Sequence, residues 1–372
     1  MCGHTQHVAI TMGRPQPGRR AALAVMLLVC AAVAAPRASA PRNQSGLRNQ
    51  DQNTLDETRR REGEALLDLA DAAMAGRPAS DFPMAWSNDF FKAQTGTFVP
   101  FTVTIDRSAL SAPDALMYVR AARRDAPVRS GPVRYPFDII FPVALSGPPG
   151  QPLRITRGFA VAPGDYDVYI ALRERAADPA GGTRRLKSAV LKQPLTVPDF
   201  WTRELATSTV MLAERIDRIA TPVEGDQLLE RPYAIGTHEV HRAFGNTFRQ
   251  DRELIVVFLI YNPAVQSDNR FDIEVDYHLF RKNARPQTPA VFDQTHPPAL
   301  AGEAYVTHTE PQRFTPAMMG SEFNPVSGPI LAGQGILLSS FEAGEYRLGI
   351  TVTDLTSRLS LSRDVIFRVA GS

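Results

Sequence analysis

Phe159-Ala160-Val161-Ala162-Pro163-Gly164-Asp165-Tyr166-Asp167-Val168 returns about 180 residues later as Phe341-Glu342-Ala343-Gly344-Glu345-Tyr346-Arg347-Leu348, with a short length difference before the glycine. After each Gly-acid-Tyr comes an alternating apolar–polar run, then a polar turn, then a final alternating run. Both copies therefore place a tyrosine at the start of a half-buried strand near the end of a repeated unit.

Working outward from these two points, the chain keeps a period of two. Val99, Phe101, Val103 and Ile105 alternate with Pro100, Thr102 and Thr104. Met117, Val119 and Ala121 form a second candidate strand, and Ile139, Phe141, Val143 and Leu145 a third. Tyr166, Val168, Ile170 and Leu172 form the next, and 190–197 closes the first half. The second half opens with 209–216 and the nearly continuous apolar run 254–261, which suits a central strand. Phe271, Ile273, Val275, Tyr277 and Leu279 then alternate with Asp272, Glu274, Asp276, His278 and Phe280. Strands at 335–341, 346–353 and 363–369 complete the pattern. Turn residues rather than long helices separate the strands, which predicts antiparallel sandwiches. A tyrosine that hydrogen-bonds back to upstream backbone is the corner of immunoglobulin-like domains. Antibody domains carry a cysteine two residues later, where this chain has Val168 and Leu348, so the core position is kept and the disulfide is lost.

The expected fold is all-β: two tandem immunoglobulin-like antiparallel β-sandwiches preceded by a signal peptide and a short helix. Residues 1–40 read as the signal peptide. Arg14, Arg19 and Arg20 form its basic region, 21–35 its apolar stretch, and Ala38-Ser39-Ala40 the small-x-small cleavage site. The apolar stretch is shorter than the roughly 20 residues a membrane span needs. Residues 41–80 read as a polar tether followed by a short amphipathic helix, with Thr54 and Glu57 as a capping box and Leu55, Leu66, Leu69 and Ala73 as its stripe. The first sandwich covers 81–198. The second covers 199–372 and carries a Pro-rich insert, 282–334. Pro198-Asp199-Phe200-Trp201 joins the halves, and its apolar bulk predicts a packed junction rather than a loose tether.

Of the 372 residues, 22% are charged and 44% hydrophobic, and the net charge is +2. That balance excludes wholesale disorder and offers no basic excess for nucleic acid. Cleavage after Ala40 would leave 37 Lys+Arg against 39 Asp+Glu and remove both cysteines, Cys2 and Cys30. No thiol nucleophile, disulfide or thiolate metal site would then remain. His238-Glu239-Val240-His241 resembles a metal motif, but the zincin helix sets its histidines four apart, not three. His278 joins that pair only if the fold brings it near. Asp272, Glu274 and Asp276 share one strand face and read as its solvated side rather than a Ca²⁺ ladder. Trp86 and Trp201 read as core or junction packing, or as sugar platforms if exposed. No nucleophile elbow and no phosphate loop occurs. No catalytic, cofactor-binding or metal residue is assigned.

Leu212-Ala213-Glu214-Arg215-Ile216, Pro232-Tyr233 with Gly236, and Leu254 through Ile260-Tyr261-Asn262 carry a resemblance. So do Gly344-Glu345-Tyr346-Arg347-Leu348, Val352, Asp354 and Val365-Ile366-Phe367-Arg368-Val369. The region 208–369 resembles the β-sandwich regions of uncharacterised exported bacterial proteins that accompany GWxTD or von Willebrand A-type domains. The signatures of those companion domains are absent from this chain. The resemblance implies an envelope-associated, non-enzymatic module, periplasmic or secreted, with no cofactor. Its partner would be an envelope protein or polysaccharide met through loops. The alternative is a secreted hydrolase of polysaccharide or peptide using carboxylates or a His-based metal site.

The repeated corner makes one measurable prediction. Tyr346→Phe should lower the unfolding free energy by about 1 kcal/mol, the scale of one net hydrogen bond. An unchanged midpoint in chemical denaturation would remove the corner from the account.

Overall fold

The computed structural model describes residues 45–125, 134–148, 150–175, 185–267, 269–283, 299–320, 323–325 and 328–371. The signal peptide expected over 1–40 lies outside them. The fold is all-β: among the described residues twenty strands stand beside one long helix and a few short helical turns.

One helix, α1 (Ser45–Met74), opens the described chain. It starts nine residues before the expected cap at Thr54, so most of the predicted tether is helical. No proline interrupts that stretch. Gly76, at φ +80°, follows its C-terminus. Leu66 and Ala70 pack with Tyr118 and Ala171, so the helix docks on the outer face of the first half.

The strands of the first half are β1 (Ala85–Asn88), β2 (Phe91–Lys92), β3 (Thr97–Ile105), β4 (Asp114–Arg123), β5 (Phe137–Ala144), β6 (Leu153–Val161), β7 (Gly164–Glu174) and β8 (Ser188–Val197). β1, β2 and β6 pair with β3 in one sheet, and the other runs β5-β4-β7-β8. Val99, Phe101, Val103 and Ile105 face Met117, Val119, Val168, Ile170 and Leu172 across a single core. Sequence periodicity found five of these strands. It missed β1 and β2, which at four and two residues are too short to show a period, and β6, where Thr156, Arg157 and Gly158 break the alternation.

The second half continues with β9 (Ala206–Thr207), β10 (Met211–Arg218), α2 (Gln227–Glu230), β11 (Ala234–Ile235), β12 (His238–Arg242), β13 (Thr247–Arg249), β14 (Glu253–Tyr261) and β15 (Ile273–Lys282). It ends with β16 (Glu303–His308), β17 (Gln312–Phe314), α3 (Pro316–Met319), β18 (Ile330–Leu337), β19 (Gly344–Asp354) and β20 (Leu359–Ala370). One sheet runs β11-β12-β10-β14-β18 with β9 on β14, and the other β13-β20-β19-β15-β16 with β17 on β15. They enclose Leu254, Val256, Phe258, Ile260, Tyr277, Leu348 and Ile350 in a second core. The pairing is antiparallel except between β13 and β20, which is parallel.

Two expectations shift. The strand predicted at 335–341 lies at Ile330–Leu337 instead, and the chain turns after it. Gly333 and Gly335 dilute the apolar pattern there, yet close approach explains Gly333: a Cβ would stand 3.0 Å from the Val256 carbonyl oxygen. The Pro-rich stretch 282–334 is not a plain loop, because β16, β17, α3 and the start of β18 lie in it. The described prolines of the stretch avoid ladder positions: Pro311 precedes β17, Pro316 opens α3 and Pro329 precedes β18. Residues 284–298 of that stretch lie outside the described residues.

The repeated corner is present twice. Tyr166 donates from its hydroxyl to the Ala162 carbonyl at 2.9 Å, and Tyr346 donates to the Glu342 carbonyl at 2.7 Å. Both rings are buried.

Between the halves lies a third apolar cluster. Phe91 meets Phe200, Met211, Tyr233, Val257, Leu259 and Tyr261 there, with Phe90 and Phe98 packed against it. Phe200 is buried with its ring 5.1 Å from that of Tyr261, whereas Trp201 is half exposed. Phe200→Ala should therefore cost about 3–5 kcal/mol, the usual range for a buried Phe truncation. Trp201→Ala should cost far less and leave the distribution of distances between the halves unchanged in solution scattering. Equal effects of the two substitutions in denaturation would contradict this assignment.

Candidate functional site

A buried group of polar side chains lies within the junction. Asp89 follows β1 between two aromatic neighbourhoods, and its backbone N–H donates to the Pro100 carbonyl at 2.9 Å. This turns a fully buried carboxylate toward the second half. Tyr233, after α2, donates to Asp89 Oδ2 at 2.7 Å. Arg242, at the end of β12, brings Nε within 2.8 Å of the same oxygen and donates from Nη2 to Oδ1 at 3.3 Å. The close Nε–H is misaligned and is left without an aligned acceptor. Burial therefore outweighs the Arg242 charge and the Tyr233 and Arg242 hydrogen bonds, and the Asp89 carboxyl is held above its usual range.

Further bonds cross the same boundary. Phe90 N donates to Thr209 Oγ1 at 2.9 Å, and Thr209 N returns a bond to the Phe90 carbonyl at 3.2 Å. Lys92 N donates to the Tyr261 hydroxyl at 3.0 Å, while Lys92 Nζ donates to Asn262 Oδ1 at 2.8 Å. Nζ also stands 4.4 Å from the centre of the Trp201 ring, whose Nε1–H donates to the Gly96 carbonyl at 3.1 Å. Burial pulls the Lys92 ammonium below its usual range, with Asp199 opposing. Asn262, at φ +56°, donates to the carbonyls of Phe200, Thr202 and Glu204 and so holds the connecting turn in shape.

The three histidines singled out from the sequence do not converge. His238 and His241 lie on β12, three residues apart, so their side chains leave opposite faces of the strand. His238 is buried, and burial followed by the charge of Arg218 lowers its pKa. His241 places Nε2 2.8 Å from Asp217 on the neighbouring strand. His278 belongs to the opposed sheet. It sits on the face turned away from the core, directly across from His308, with the rings 5.8 Å apart. Tyr305 joins them, its hydroxyl 2.6 Å from His308 Nδ1.

The acidic strand face is the solvated side of β15. Asp272 is held by Arg313, whose Nε donates at 2.8 Å, and this guanidinium keeps the carboxyl below its usual range. On the same outer face Arg347 is nearly buried. It donates to Glu303 from Nε and Nη2, donates to Asp364 at 2.8 Å, and lies 4.2 Å from the Phe280 ring centre. Trp86 is a packing residue, stacked on Phe101 at 4.6 Å. Trp201, half exposed, is the more accessible tryptophan, since Trp86 is partly buried.

Sequence reasoning did not find the Asp89–Tyr233–Arg242 group. Tyr233 stands 144 positions from Asp89 and Arg242 stands 153 from it, so no local spacing could announce the set. The one sequence signal is an acid set directly before Phe90-Phe91.

The chain matches no protein-family model and no curated protein. Among solved structures it is similar to a mutant alpha-2-macroglobulin of Salmonella, at 12% identity over 78% of this chain and 15% of that one, with a TM-score of 0.19. It is also similar to the native conformation of E. coli alpha-2-macroglobulin, at 9% identity over 79% and 14%, with a TM-score of 0.21. The chain thus spans about one-seventh of those proteins. At these scores the likeness says nothing about activity, and the all-β assignment rests on the sheets themselves.

Closed by Tyr233 and Arg242 and sealed from solvent, the Asp89 group fastens two sheet systems together. Asp89→Ala should destabilise the protein by roughly 3 kcal/mol or more, because it leaves Arg242 facing a buried gap. The pH dependence has a definite sign. The carboxyl's folded-state pKa lies above the unfolded value of about 3.9, so its contribution is full below that pH. It declines as pH rises through the folded-state pKa and is level beyond. Relative to Asp89→Asn, the wild-type chain should lose stability as pH increases from about 4. A relative gain in denaturation midpoint over that interval would reverse the assignment.

Proposed function

We propose that the chain is an exported, non-enzymatic binding or scaffolding protein of the bacterial cell envelope. It would act as a stiff frame that carries loops and strand edges to an envelope protein or polysaccharide. The observation that supports this best is the junction core. Phe91, Phe200, Met211, Tyr233, Val257, Leu259 and Tyr261 are all buried between the halves, and hydrogen bonds from Phe90, Lys92 and Thr209 cross beside them. Junctions within a chain are ordinarily small, polar and mobile. A junction built like a domain interior holds the two sheet systems at one spacing, which a scaffold needs and a tethered binder does not. Among the described residues no helix is long and apolar enough to cross a membrane.

The test sets binding against turnover. Envelope fractions are offered to the full chain, saturable retention is measured, and the same preparation is assayed on a panel of polysaccharide and peptide substrates with metal analysis in parallel. Saturable retention is expected, with no turnover that depends on a protein side chain. Turnover abolished by one Asp, Glu or His substitution, or stoichiometric zinc, would establish the hydrolase reading instead.

A further inference from the structure

β20 runs for 12 residues and pairs with β19 from Leu359 to Val369 without a bulge. Among the described residues its other edge is covered only at Arg368, Val369 and Ala370, where β13 lies parallel to it. Among the described residues no strand pairs with the open stretch 359–367 on that side, and no turn or loop backbone bonds to it. Natural sheets usually shorten, bulge, charge or cover such an edge. This one has two charges at its middle, and both are already engaged. Arg363 Nε donates to Thr207 Oγ1 at 3.0 Å, and Asp364 accepts from Arg347 at 2.8 Å.

Beneath the open edge the second core is incompletely covered. Leu361 and Val365 point inward from β20, and Leu205, Val210 and Leu212 approach from the β9–β10 segment that Arg363 bridges to at Thr207. All five pack on the core yet stay only partly buried. Leu359, at the start of the edge, is 57% exposed. The filled end of the edge shows what a strand contributes there. β13 adds three backbone partners to β20, and its Phe248 packs onto the same core. The remaining three-quarters of the edge offers the same ladder and the same apolar seam with no strand upon it among the described residues.

We infer that the open edge at 359–367 is a β-addition site for an extended segment of a different protein, apolar opposite Leu361 and Val365 and acidic opposite Arg363. The inference deepens the binding function proposed above and rests on it. Main-chain bonds would give affinity in this mode, and alternate side chains would give selectivity. Charge argues against a second copy of this chain. The two-fold antiparallel register that pairs the whole stretch with itself sets Arg363 directly against its own mate. Like charges directly opposite are destabilising.

The experiment uses a labelled, end-blocked peptide, Thr-Thr-Val-Thr-Glu-Thr-Val-Thr-Thr, whose symmetry presents the same side chains in either direction. Its binding to the full chain is read by fluorescence anisotropy and located by amide hydrogen exchange. Saturable binding is expected, with slowed exchange concentrated at 359–367. A peptide with Lys for Glu should bind about tenfold more weakly, and Arg363→Glu should invert that preference, with a wild-type circular dichroism spectrum as the folding control. No binding up to about 1 mM, equal binding of the two peptides, or protection confined to another surface would overturn the site. A concentration-dependent dimer that protects 359–367 without peptide would overturn the choice of a different protein as occupant. If an envelope ligand is retained while exchange slows elsewhere, the edge fails and the binding function stands. Turnover in the substrate panel would strike the binding function itself.

Discussion

The structure depends on β14 being buried on both faces. Leu254, Val256, Phe258 and Ile260 enter the second core, while Val257, Leu259 and Tyr261 enter the junction. A strand at the surface of a sandwich alternates apolar and polar residues. This one is apolar at both parities, because a second layer covers what would otherwise be its solvated side. Full burial of a large apolar side chain contributes about 1.5–3 kcal/mol, so Val257, Leu259 and Tyr261 together supply several kcal/mol that neither half would gain alone. Everything else at the boundary is arranged around that layer.

Polar groups at the boundary do a different job. Apolar contact is non-directional and would tolerate sliding or rotation between the halves. Buried hydrogen bonds do not, since a small displacement leaves a desolvated donor or acceptor without a partner. Asp89 with Tyr233 and Arg242, the reciprocal Phe90–Thr209 pair, and Lys92 with Tyr261 and Asn262 therefore select one relative orientation. The Asp89 carboxyl stays costly to ionise because its burial outweighs the Arg242 charge and the hydrogen bonds that Tyr233 and Arg242 donate to it. Specificity of docking is obtained there at some expense in stability.

The two tyrosine corners and the open edge of β20 show where closure is complete and where it is not. Tyr166 and Tyr346 each satisfy a carbonyl four residues upstream and tuck the connecting turn against a core, fixing how the last two strands of each half enter. In the first half β8 then ends at the junction linker. In the second, β20 extends well past the three residues that β13 covers. The same repeated hairpin is thus set in two surroundings.

Periodicity in the sequence was enough for the all-β class, for most of the long strands and for both corners. Those features depend on neighbours two to four residues apart, and Tyr166 to Ala162 or Tyr346 to Glu342 is a contact of that range. The apolar bulk of Phe200 also pointed to a packed joint. Strand β6, the strands within 282–334, the position of β18 and the length of α1 escaped, since glycines, prolines or polar side chains mask their pattern until a partner strand or sheet supplies the missing reason. Which residues meet across the boundary was decided only by tertiary structure. Asp89 finds Tyr233 and Arg242 across more than 140 positions, while His238, His241 and His278, which looked like a set, are distributed over two faces of one sheet and the far side of another. Chain connectivity sets local geometry, but the packing of one sheet on another is a long-range choice made by burial and charge pairing, which no short window of sequence contains.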